Sequence, residues 1–289
     1  MRLHELFTNS QVSVLRLDHE PQHINTDPDE EVCSHHAINF VEAGIFRLRD
    51  ENDSWTLTKE HCFISRPGAV HRYFHRERFP SDVCLSIVYT GLFSEEEEKL
   101  APYGVPTVFS STNRLAYLKY QLARLTREGC SLAWEDWVID LATAVRDCRD
   151  VFKRRYREHQ LTWYAERVEA ARRLFETRYA ESHPLMSVAR SVGMSPFQFA
   201  RIFSELVGIP PHRYLLAVRL NQASQFLLEG KGVTETCFDV GFSNLSHFTR
   251  SFRRRFGYSP SSLMSRHANA RSVSYARPVK STPANNRLR

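Results

Sequence analysis

The feature that most constrains this chain is an internal repeat. Residues 187–211 read SVARSVGMSPFQFARIFSELVGIPP and residues 235–260 read ETCFDVGFSNLSHFTRSFRRRFGYSP. Val192-Gly193-Met194-Ser195 aligns with Val240-Gly241-Phe242-Ser243. After one extra residue in the second copy, Arg201 aligns with Arg250, Phe203 with Phe252, Gly208 with Gly257 and Pro211 with Pro260. A solenoid needs three or more copies, so two make a tandem pair.

Each copy has the grammar of two short helices joined by a tight turn. The first helix stops at a glycine (Gly193, Gly241), the residue that takes up a left-handed turn without a Cβ penalty. Ser195 and Ser243 follow as expected N-caps, and Pro196 sits where its missing N–H costs nothing. The second helix repeats apolar residues at helical spacing: Phe199, Phe203 and Leu206 in one copy, Phe248, Phe252 and Phe256 in the other. Gly208 and Gly257 close it. This is the pattern of a helix-turn-helix, expected over 187–208 and 235–257.

Burying those phenylalanines fixes what is left outside. Phe197, Ala200, Arg201 and Ser204 project from the first recognition helix. Ser246, His247, Thr249, Arg250, Arg253 and Arg254 project from the second. Arginine can bond guanine O6 and N7 bidentately, and hydroxyls reach bases or phosphates. The run Arg253-Arg254-Arg255 suits phosphates, which strengthen binding without reading sequence. Phe197 either meets a thymine methyl or packs on a neighbouring helix. Between the copies, PPHRYLLAVRLNQASQFLL (210–228) places Leu216, Leu220, Ala223 and Leu227 on one face. It predicts a connecting helix of about 28 Å, comparable with the roughly 34 Å between successive major-groove faces.

Charge agrees. The 289 residues carry a net +6. Residues 161–289 alone hold 19 Lys and Arg against 8 Asp and Glu, a balance of +11, which leaves −5 for residues 1–160. A basic C-terminal half suggests a polyanion-binding module attached to something else.

These residues resemble the AraC/XylS family of bacterial transcription regulators. VARSVGMSPFQFARIF, the connector residues Arg219, Ala223 and Leu227, and GFSNLSHFTRSFRRRFGYSP occur in the family's order over about 100 residues, 165–267. The resemblance implies two helix-turn-helix units on one polypeptide contacting adjacent major-groove segments. Phe197, Ala200 and Arg201 correspond to base-facing positions in the first unit, and Leu245, Ser246, Thr249 and Arg250 in the second. Thr236 and Cys237 replace the Ile-Ala usual in the family, which predicts slightly looser packing there. The resemblance also implies an N-terminal cupin-like domain that senses a small molecule and helps dimerisation.

The first 110 residues do read as β. His36–Val41, Ile45–Arg49, Trp55–Leu57, Cys62–Ser65 and Val83–Tyr89 are short apolar runs separated by turn residues, as in a sandwich or barrel. Helical spacing follows: Leu115, Leu118, Leu122 and Leu125, ending at Gly129, then Trp134, Val138, Leu141, Val145, Cys148 and Phe152 with charge on the back. The second stripe is either a dimerisation seam or a face packed on its own barrel. Lys153-Arg154-Arg155-Tyr156-Arg157 reads as a linker.

Pro67-Gly68-Ala69-Val70-His71 matches the second metal motif of enzymatic cupins. His35, His36, Glu42, His71, His75, Cys33 and Cys84 offer ligand chemistry. His35 and His36 are adjacent, however, and successive strand residues face opposite ways, which weakens a three-ligand site. The expectation is no metal, no cofactor and no catalysis, with His36, Glu42 and His71 as candidate contacts for a small-molecule effector. The six cysteines have no C-x-x-C pairing and read as reduced, buried thiols. No run of 18 apolar residues and no leader-like N-terminus are present, so a cytoplasmic chain without a membrane partner is expected.

The fold class expected is α+β in two domains. An N-terminal cupin-like β-barrel (1–111) with a helical dimerisation segment (112–158) precedes an all-α domain with two helix-turn-helix motifs (159–267) and a disordered basic tail (268–289). The function expected is a sequence-specific transcription regulator, an activator ahead of a repressor, with promoter DNA, RNA polymerase, an effector and a second copy as partners. The rivals are a metal-dependent cupin enzyme with a DNA-binding tail and a regulator controlled by a protein partner.

Overall fold

The structure is a computed structural model that describes residues 2–10, 12–19, 30–75, 81–90, 107–128, 133–148 and 156–265. Gly129, Phe152, most of the 153–157 linker and the 268–289 tail lie outside the described residues. The chain divides into two compact units, Met1–Ala165 and Glu166–Arg289.

Among the described residues the first unit holds ten strands: β1 (Arg2–Thr8), β2 (Val12–His19), β3 (Glu31–Val32), β4 (His36–Ala43), β5 (Phe46–Arg49), β6 (Ser54–Leu57), β7 (His61–Ser65), β8 (Val70–His75), β9 (Asp82–Tyr89) and β10 (Val108–Ser110). Two helices follow, α1 (Asn113–Glu128) and α2 (Ala133–Arg146). Among the described residues the strands do not close into one barrel ladder. They form a six-stranded sheet, β1-β2-β9-β4-β7-β10, and a four-stranded one, β3-β8-β5-β6. Every pairing is antiparallel.

The larger sheet is covered on both faces, which is why β4 is an almost unbroken buried run. Val12, Val14, Ile38, Phe40, Ile64, Leu85 and Ile87 pack against Leu115, Leu118 and Leu122 of α1 and Trp134, Val138, Leu141 and Val145 of α2. Val41, Phe63 and Cys84 point the other way and pack on Phe46, Leu48 and Leu57 of the smaller sheet. Strand alternation thus sorts one sequence into two cores. It also settles the apolar stripe of α2. Trp134 stacks on Phe7 with centroids 3.8 Å apart, and the stripe is buried on the chain's own sheet, so it is no dimerisation seam. Cys148 lies beyond the helix end and is partly buried against the same core.

The second unit is helical: α3 (Glu158–Thr177, which begins in the first unit), α4 (Leu185–Ser191), α5 (Pro196–Val207), α6 (Pro211–Leu228), α7 (Val233–Asp239) and α8 (Leu245–Phe256). Phe199 and Phe203 of α5 lie 5.5 Å apart. Phe203 also meets Phe175 of α3 at 6.0 Å and Tyr214 of α6 at 5.6 Å. A second core gathers Leu220, Ala223 and Leu227 of α6 with Cys237, Val240, Phe242, Phe248 and Phe252. The connecting helix therefore serves both cores, through Tyr214 near its start and Leu227 near its end.

Candidate nucleic-acid interface

Each repeat folds as a helix, a left-handed glycine and a second helix. Gly193 and Gly241 have φ of +69° and +84°, and Gly208 and Gly257, capping α5 and α8, have +87° and +80°. At the start of α5, the Ser195 hydroxyl accepts from the Gln198 amide at 3.3 Å. The expected cap of α8 was Ser243, but the cap is Asn244, whose Oδ1 accepts from the His247 amide at 2.9 Å. The extra residue of the second copy is thus taken up in the turn, and a short polar side chain one position on does the same work. Counted from their caps, the two helices are then in register, with Arg201 and Arg250 both six residues in.

The outward faces follow. Phe197 is 81% exposed, which removes the alternative of a packed phenylalanine. Arg201, Leu245, Ser246, His247, Arg250, Arg253 and Arg254 are exposed as well, while Ala200, Ser204 and Thr249 are half-buried. Two expected contact groups are committed elsewhere. The Ser204 hydroxyl donates to the Ala200 carbonyl at 2.6 Å, and the His247 ring lies 5.5 Å from Phe242 over its own turn. Arg201 reaches Glu205 at 3.5 Å. The matching position in α8 is Arg254, so the second recognition helix has no such carboxylate and is the more basic of the two. Arg253, Arg254 and Arg255 also occupy its last turn, where cations complement the helix dipole.

The turn of the second unit is held from behind, by residues that sequence reasoning had not connected. The guanidinium of Arg219 donates to the carbonyls of Tyr179 and Glu181, both at 2.7 Å. A Cβ on Gly241 would lie 2.4 Å from the Ala180 oxygen between them. Arg219 and Gly241 thus form one close-packed junction. Thr236 and Cys237 are completely buried, and the Thr236 hydroxyl has no hydrogen-bond partner.

In the first unit, the structure does not gather His36, Glu42 and His71 into one site. His36 and Glu42 lie six residues apart along β4, about 20 Å. By alternation they share the side of Ile38 and Phe40, toward the helices. Glu42 sits at a bulge between Val41 and Ala43, where Lys119 of α1 pairs with it at 3.0 Å and Arg16 lies 3.8 Å away. His71 faces the opposite side, between the sheets, and is 1% exposed. Its Nδ1 lies 3.6 Å from Cys33 Sγ and 3.2 Å from the Tyr73 hydroxyl. Burial holds its pKa below the usual histidine value and raises that of the Cys33 thiol. His75, Asp82 and His19 do come together, across segments whose sequence spacing gave no signal.

Two helix-turn-helix units sharing one connecting helix define a double-headed DNA-binding domain. The family described as "Helix-turn-helix domain" matches residues 188–266, and this region is an AraC-type DNA-binding domain. It is 36% identical over 94 residues to the virulence regulon transcriptional activator VirF of Yersinia enterocolitica, covering 32% of this chain and 35% of that protein. It is 33% identical over 95 residues to the HTH-type transcriptional regulator ExsA of Pseudomonas aeruginosa, covering 32% and 34%. These matches span about a third of the length of either relative. A solved AraC-type regulator from Chromobacterium violaceum covers 36% of this chain and 93% of its own, at 30% identity and a TM-score of 0.34. No described helix is long and apolar enough to cross a membrane.

Proposed function

We propose that this protein is a sequence-specific transcription regulator, acting as an activator, that grips promoter DNA through α5 and α8 in successive major-groove segments. The observation that carries the reading is the common register of the two recognition helices, each presenting an exposed arginine six residues after its cap. Arg201 and Arg250 read bases, with Phe197 against a thymine methyl and Leu245, Ser246 and Thr249 beside Arg250. Arg253 and Arg254 hold phosphates. The 18-residue connector spans about 27 Å, which suits two heads on one face of a duplex. The activator sense is drawn from the VirF likeness, and RNA polymerase is its partner. The N-terminal unit supplies control by an effector or a second copy, through surfaces other than the buried stripe of α2.

The test is DNA binding by the full chain on fragments upstream of its own and neighbouring genes, with footprinting to find the site. Arg201→Ala and Arg250→Ala each weaken specific binding by about 1–3 kcal/mol and relax preference at a distinct base step. Arg254→Ala weakens all sequences alike and flattens the salt dependence by about one ion. Full affinity and unchanged preference in both Arg201 and Arg250 variants would refute this assignment.

A further inference from the structure

At one end of the gap between the two sheets, three strands bring three side chains together. His19 closes β2 and Asp82 opens β9, and the two are Cα partners in the antiparallel register. His75 closes β8 in the other sheet. His19 Nδ1 lies 2.9 Å from Asp82 Oδ1, and His75 Nδ1 lies 2.7 Å from Asp82 Oδ2. One donor atom from each residue lies within 4.8 Å of the other two. The Asp82 side chain is 1% exposed and that of His75 is 8% exposed.

The two contacts are not alike. His19 and Asp82 make a directed hydrogen bond. His75 Nδ1 and Asp82 Oδ2 are close, but both are buried without a hydrogen bond of proper direction. The three side chains bring their ligand atoms into one small volume. The backbone is also crowded here: a Cβ on Gly44 would lie 2.6 Å from the Asp82 Cα, so Asp82 is held in place.

We propose that His19, His75 and Asp82 bind a divalent transition-metal ion that ties the two sheets together. Two imidazole nitrogens and one carboxylate oxygen suit zinc and its first-row neighbours, with bonds of about 2.0–2.2 Å. Calcium and magnesium prefer all-oxygen shells. A cation takes one lone pair from each of the three residues and adds a bridge between strand β8 of the smaller sheet and the β2–β9 pair of the larger one. His19, 21% exposed at its side chain, gives the ion its way in and leaves room for a water as fourth ligand. The site does not use the Pro-Gly-x-x-His motif, whose histidine is His71.

The test uses the full chain, stripped with chelator and dialysed, and zinc chloride as the probe. Calorimetry and elemental analysis should give one tightly held zinc per chain, and zinc should raise the melting temperature where magnesium does not. His19→Ala, at the rim, and Asp82→Asn should each lower zinc affinity at least tenfold. Circular dichroism and DNA binding identify any variant that has failed to fold. For such a variant the wild-type chain gives the answer: bound zinc should protect His19 and His75 from diethylpyrocarbonate, read peptide by peptide in a mass spectrometer. No stoichiometric zinc, affinity unchanged in folded His19→Ala, protection at His71 instead, or an equal response to magnesium would each overturn the proposal.

Discussion

The sharpest prediction concerns the two turn glycines, because the repeat makes each the control for the other. Gly193 and Gly241 both sit in the left-handed region, where an alanine costs about 1–2 kcal/mol. Their surroundings differ. A Cβ on Gly193 meets nothing within 4 Å, whereas one on Gly241 lies 2.4 Å from the Ala180 oxygen and 2.9 Å from its carbonyl carbon. Ordinary contact begins near 3.4 Å, so roughly 1 Å of overlap must be relieved. Residues 179–181 cannot move away freely, because Arg219 holds the carbonyls on either side. Each such charged hydrogen bond is worth about 1.5–3 kcal/mol. Gly193→Ala should therefore cost about 1–2 kcal/mol, and Gly241→Ala about 3–5 kcal/mol. Native-state hydrogen exchange on the intact chain measures this, read at the amides of α5 and α8 separately. Exchange from α8 in Gly241→Ala should accelerate by a hundredfold or more, and exchange from α5 in Gly193→Ala by about fivefold to thirtyfold. Equal effects, or a larger one at Gly193, would refute the junction as described.

Thr236→Val should stabilise the second unit by about 1 kcal/mol, since it keeps the shape and removes a buried hydroxyl without a partner; slower exchange from α7 and α8 checks it, and a destabilised variant counts against it. His71 gives a pH dependence. Burial depresses its folded pKa below the ordinary histidine value, so its share of stability is complete above that value, about 6.5, and is lost as pH falls through the folded one. The melting temperature of the first unit should fall on acidification below about pH 6.5, and His71→Gln should flatten that slope; identical slopes would show that other groups carry it.

Legibility in the sequence tracked how local each constraint was. The helix-turn-helix pair could be read because glycine, cap and phenylalanine spacing all fall within about 25 residues of one another. The one slip there, Ser243 for Asn244, came from two adjacent residues with equal capping chemistry. The α2 stripe was visible as a stripe, but its period could not say whether the covering surface was a second copy or the chain's own β-sheet. His36, Glu42 and His71 were grouped by residue type and by the Pro-Gly-x-x-His motif, and the fold puts the first two on one sheet and the third on the other. The His19–Asp82–His75 cluster was invisible for the converse reason: cross-strand register and the stacking of two sheets bring it together, and neither leaves a spacing in the chain.

One consequence of the shared connector concerns how such a regulator can change its target. Tyr214 is fixed in one aromatic core and Leu220, Ala223 and Leu227 in the other, so α6 acts as a ruler clamped at both ends. Side chains on the recognition helices can be exchanged singly to prefer new bases, but the interval between the two half-sites is not open to that kind of drift. Each residue added to or removed from α6 turns one head by about 100° relative to the other. Under the proposed function, the DNA sites it binds should therefore vary in letters while keeping their phasing.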